Sequence, residues 1–139
     1  MNLKSLIISI VVIFIALSAT DFLIHAVWLS PLYHATQQLW RPEAEMASGQ
    51  YMNWLHAGHA LAAITFTTLW AVGFAQNAKL TCGVKYGLFM ALFSQANTLI
   101  SYAVQPFPLE IVWKWIASGA VQGILLGVIV FFVYKPKSA

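Results

Sequence analysis

The chain has 139 residues, 60% of them hydrophobic and only 8% charged, with seven Lys and Arg against four Asp and Glu. Soluble domains run near half apolar and a quarter charged, so this composition cannot wet the surface of an ordinary soluble domain. It equally excludes a disordered chain and a disulfide scaffold, and it argues against nucleic-acid binding, because the basic excess has no wettable face to sit on.

A membrane-crossing helix needs about 20 mostly apolar residues. Four stretches qualify, at 6–29, 52–75, 84–104 and 111–134, and together they predict a single transmembrane domain over 1–139. The fold class is an all-α membrane protein, a four-helix transmembrane bundle, because the connections between the later spans are short and favour antiparallel neighbours. The first run, with Lys4 before it and Ala16-Leu17-Ser18-Ala19 inside it, has features of a secretory leader. It stays apolar well past the length of a leader core, and it is read as a true span.

The connection over 30–51 is too long for a turn and is expected to lie at the membrane surface as a short interfacial helix. Ser30-Pro31 supplies an N-cap followed by proline at the first helical position. Arg41-Pro42-Glu43 opens a second short helix that should end before Gly49. This segment reads either as a linker or as a lid over polar groups beneath it.

Lysine placement predicts orientation. Lys4, Lys79, Lys85, Lys135 and Lys137 fall on one side, and Arg41 and Lys114 on the other. The bias places both termini in the cytoplasm of a bacterium, with the protein in its inner membrane. Trp28, Tyr33, Tyr51, Trp54, Trp113 and Trp115 then form the aromatic belt of the outer interface.

Polar residues gather in the outer half of every span: Asp21 and His25 on the first, Asn53, His56 and His59 on the second, Asn97 and Ser101 with Ser94, Gln95 and Thr98 on the third, and Gln122 on the fourth. The inner halves read as nearly pure hydrocarbon. At about 1.5 Å per residue, His25 and His56 share one depth and Asp21 and His59 a deeper one. Spacings of four and three put Asp21 with His25, and His56 with His59, on common faces. The expectation is one cluster of three imidazoles and a carboxylate. It serves either as a hydrogen-bonded network or as a haem, Zn, Fe or Cu site built from His25, His56, His59 and Asp21.

Gly119, Gly123 and Gly127 repeat every four residues on the fourth span, with Gly83 and Gly87 on the third as a plausible mating surface. They serve contact within the bundle or a homo-oligomer seam. Gly-rich phosphate loops, Gly-x-Ser-x-Gly elbows and paired cysteines are absent, which leans away from an enzyme.

Ala26-Val27-Trp28-Leu29-Ser30-Pro31-Leu32, with Trp40 after it, resembles a bacterial four-span integral membrane family of unknown function. In that family the first span ends in a Trp-Tyr-Ser-Pro motif; here Leu29 stands at the Tyr position. Tyr86-Gly87 and Gly127 are compatible with its later spans. The resemblance implies a compact four-helix membrane protein and implies no activity. Three functions follow as expectations: a non-enzymatic accessory, assembly or oligomeric component of a larger membrane complex; a haem or metal protein; and a small solute or proton carrier.

Overall fold

The computed structural model describes residues 1–137 and contains no strand among them. Four helices are long and apolar enough to cross a membrane: Leu3–Trp28, Gln50–Gly73, Leu80–Val104 and Leu109–Val133. The first comprises α1 (Leu3–Asp21) and, continuous with it, a π-helical segment (Phe22–Trp28). The short helices α2 (Ser30–Ala35) and α3 (Glu43–Ala47) follow, with a 3-10 turn at Gln37–Leu39 between them. The remaining long helices are α4 (Gln50–Gly73), α5 (Leu80–Val104) and α6 (Leu109–Val133).

The expected all-α four-helix bundle is present, with each span starting a few residues earlier than the apolar runs suggest. The reason is capping. The Asn2 side chain accepts from the Ser5 N–H at 3.2 Å, so α1 begins while the chain is still polar. Pro108 precedes α6, and Gly49 enters α4 at φ 82°, a left-handed conformation that glycine adopts without strain. Ser30, expected as an N-cap, is instead the first residue of α2 and makes no capping bond, because the π segment runs almost up to it.

Helix α1 packs between α4 and α6, and α6 packs on α5. The α5–α6 contact is backbone against backbone. A Cβ on Gly83 would lie 2.6 Å from the Gly127 carbonyl oxygen, and one on Gly123 would lie 2.6 Å from the Gly87 carbonyl oxygen. The glycines expected as a packing surface thus mate inside the chain. At the end carrying the termini, Asn2 N–H donates to the Tyr134 hydroxyl at 3.3 Å and Lys135 N–H to Ser5 Oγ at 2.6 Å. There α4 and α5 are joined through Tyr86, whose hydroxyl donates to the Phe66 carbonyl and whose ring meets Phe66, Trp70 and Phe74. Elsewhere these two helices stand apart. The outward side chains are large and apolar, Phe93 and Val104 among them, as a hydrocarbon solvent permits.

Candidate functional site

Asp21 ends α1, and three helices converge on it. His59 Nε2, from α4, lies 2.6 Å from Asp21 Oδ2. Gln122 Nε2, from α6, donates to Asp21 Oδ1 at 2.6 Å and to Thr20 Oγ1 at 2.7 Å. Thr20 sends its own proton back to the Ala16 carbonyl at 2.8 Å, so it is free to accept. The second nitrogen of His59, Nδ1, lies 3.1 Å from Ser18 Oγ. His59 is buried and Asp21 half-buried. A carboxylate inside a span costs roughly 2.5–3.5 kcal/mol on insertion scales, and here two donors are set against that cost.

The donor and acceptor arithmetic allows one proton to come and go. With a neutral imidazole, Nε2–H donates to Asp21 and Nδ1 accepts the Ser18 proton. With an imidazolium, Nδ1–H donates to Ser18 Oγ instead, and only the hydroxyl rotor turns. No heavy atom moves and no hydrogen bond is lost. Ser18, His59 and Asp21 also line up as a hydroxyl, an imidazole and a carboxylate, the ingredients of a nucleophile triad. Ser18, however, lies inside α1, where the backbone N–H groups are consumed by the helix, so nothing is placed to hold an oxyanion.

His25 is not in this unit. The π segment, closed by Leu29 N–H to Ile24 C=O at 2.8 Å, is wider than an α-helix, so a spacing of four no longer stacks His25 over Asp21. Its Nδ1 lies instead 2.6 Å from the Tyr33 hydroxyl. Trp115 Nε1 can only donate, and it does so to that same hydroxyl at 2.7 Å. With Trp115 donating to it, the Tyr33 hydroxyl can give its own proton to His25 Nδ1, in the tautomer that carries the His25 proton on Nε2. Burial holds the Tyr33 phenol above its ordinary range, against the opposing Trp115 hydrogen bond.

Over this pair sits an aromatic cap. Trp40 stacks on Phe107 at 5.4 Å and meets Tyr33 at 5.1 Å edge-on, while Phe107 meets Trp115 at 5.3 Å. The segment over 30–40 is thus fastened to the α5–α6 turn and to α6. Trp40, the second tryptophan of the motif, is its fastener; Trp28 stays exposed, with Lys114 Nζ 5.9 Å from its ring.

The expected cluster of three imidazoles and a carboxylate is not assembled. His56 is exposed and approaches His59 only edge-on, with centroids 6.5 Å apart. Asn53 and Asn97 are exposed and Ser101 is half-buried, and none of the three is brought to Asp21 or His59 by a side-chain hydrogen bond. No three His, Cys, Asp or Glu side chains among the described residues are arranged to hold a metal ion. The His25, His56, His59 and Asp21 set fails because both nitrogens of His59 are engaged while His25 is turned to Tyr33. Ser18 and Thr20 join the unit without having been singled out; Ser18 sits three residues before Asp21, a spacing that shares its face. The other half of the bundle is also less purely hydrocarbon than expected. Ser9 Oγ, Thr67 Oγ1 and Trp70 Nε1 are buried there without a hydrogen-bond partner.

Gln122 borders three cavities; one, apolar and of about 400 Å³, lies between the first span and α6, and the two others also meet Gln95. Of these two, one of about 390 Å³ lies among α1, α4, α5 and α6; a smaller one of about 190 Å³ is lined by His25, Thr98, Trp115 and Ser118. Gln95, Gly119 and Gln122 line both. No protein-family model, curated protein or solved structure matches the chain.

Proposed function

We propose that this chain is a small, non-enzymatic protein of the bacterial cytoplasmic membrane and that its working part is the Asp21–His59 unit, the proton-exchanging centre of a small proton-linked carrier. One observation carries the reading: a carboxylate held between an imidazole and a carboxamide inside an apolar bundle, in a hydrogen-bond set that accepts a proton without rearranging. Ionisable side chains inside spans characteristically mark proton relays and ion or substrate pathways. The π-helical winding beside Asp21 adds support, since π turns within α-helices are frequent at functional sites. The glycine repeats no longer argue for an assembly or oligomeric role, because they are spent between α5 and α6.

The test is proton movement into proteoliposomes that hold a pH-sensitive dye. After an external acid jump, vesicles with the wild-type protein are expected to acidify faster than protein-free vesicles. Asp21→Asn should return the rate to that of protein-free vesicles while circular dichroism still shows the helical bundle. Unchanged flux in Asp21→Asn overturns the reading. The proposed orientation, with the lysine-rich termini end in the cytoplasm, rests on the positive-inside bias and has its own test. A fluorescent-protein fusion at the C-terminus should glow, and alkaline phosphatase inserted near Gly49 should be active. The reverse pattern would overturn the orientation.

A further inference from the structure

The cavity among α1, α4, α5 and α6 meets the proton-exchanging unit only through Gln122, since neither Asp21 nor His59 lines it. Most of its wall is hydrocarbon, from side chains such as Ile13, Leu17, Met90 and Leu126. One end is different. Gln122 spends both amide protons on Thr20 and Asp21, which leaves its Oε1 without a hydrogen-bond partner among the described residues. Gln95 accepts from Thr98 Oγ1 at 2.8 Å through Oε1, and its Nε2 donates to nothing. That amide is held over Gly119, where a Cβ would collide with Nε2, so the glycine is what lets Gln95 lie between the two cavities. An unspent donor and an unspent acceptor thus belong to two residues that line a mostly apolar space with no charged residue in its wall.

The cavity also has a way in. Helices α4 and α5 touch at the Tyr86 aromatic cluster and part beyond it. Gly58 and Leu61 on one side and Ser94 on the other line the cavity and are themselves exposed, so it opens sideways between the two helices. A side opening of an apolar bundle faces the bilayer, not water.

We infer that this cavity is a binding site for an uncharged, lipid-soluble molecule with a compact carbonyl-bearing head, of which an alkyl quinone is the simplest type, taken up laterally from the membrane. Its volume lies in the range of small-molecule sites, and the ratio of apolar wall to a few convergent polar groups is that of such sites. The head carbonyl accepts from Gln95 Nε2, and any hydroxyl on it donates to Gln122 Oε1. A carboxylate ligand is disfavoured because no cation lines the cavity to pair with it.

The test uses the full chain in lipid nanodiscs with two probes, a decyl-substituted benzoquinone and decylbenzene, and reads retention by equilibrium dialysis. Wild type is expected to retain one equivalent of the quinone and to hold it more tightly than decylbenzene. Gly58→Leu fills the cavity from a position where a Cβ meets nothing within 4 Å, so it should keep or raise Tm while abolishing retention. Gln95→Leu should weaken quinone binding about tenfold, the equivalent of one hydrogen bond, and leave decylbenzene unchanged. Equal retention by Gly58→Leu, equal affinity of wild type for both probes, or unaltered quinone binding by Gln95→Leu would each overturn the assignment.

Discussion

Gly87→Leu is expected to destabilise the protein by about 3 kcal/mol, at the upper end of overpacking costs, although leucine is the better helix former. Three atoms decide it. A Cβ at Gly87 would meet the Gly123 carbonyl oxygen, the Gly123 carbonyl carbon and the Gly127 Cα, all backbone. No rotamer change relieves such a contact; α5 and α6 must separate along their length. Separation also lifts Gly119 from Gln95 and loosens the α6 face that carries Gln122. Gly58→Ala is the control: with nothing within 4 Å of its Cβ, it should stabilise by up to about 1 kcal/mol through helix propensity alone. Denaturant or thermal unfolding in detergent reads both. Equal tolerance at the two glycines would mean that α5 and α6 are not in backbone contact.

His59→Leu is expected to cost about 3 kcal/mol, while the double variant Asp21→Leu/His59→Leu should cost clearly less than that single change. The inversion follows from what each variant leaves behind. Removing the imidazole alone strands a half-buried carboxylate on one amide donor from Gln122 and leaves Ser18 Oγ without its partner. Removing both partners replaces a desolvated polar pair with hydrocarbon in a hydrocarbon surrounding. Both variants should lose proton exchange in proteoliposomes. A double variant less stable than His59→Leu would show that the pair is there to hold the bundle together. A more stable but inactive one would show that the pair is kept for its chemistry.

The spans were legible because bilayer thickness imposes a length on apolar runs, and the α5–α6 mating was legible as one of two uses of glycines every four residues, the other being a seam between copies. Depth was legible too: counting residues from the ends set Asp21 level with His59, and these two do meet. Azimuth was not. In a helix that is apolar all round, periodicity does not tell the lipid-facing side from the interior, so the exposed Asn53, His56 and Asn97 were grouped with the inward Asp21 and His59. The rule of four failed at His25 because it presumes an α-helix, and nothing in Phe22–Trp28 announces wider winding. Ser9 and Thr67 escaped notice because small hydroxyl residues are common in spans and carry little signal.

The π segment also acts as a phase adjuster between two fixed fittings. Upstream, Asp21 has to point at α4 and α6; downstream, Leu29 is buried and the 30–40 cap has to meet Phe107 and Trp115. A helix of uniform α pitch advances about 100° per residue, so it cannot serve both fittings unless their separation happens to suit it. The wider turn absorbs the difference within the same span. Deleting one residue, such as Val27, would let the stretch relax to ordinary helix at little cost in hydrogen bonds. The cap would then stay near its present azimuth, because the deletion removes the one residue that the wider turn accommodates; relaxation to ordinary helix without a deletion would instead swing the cap by about 100° and carry Trp40 off its seat.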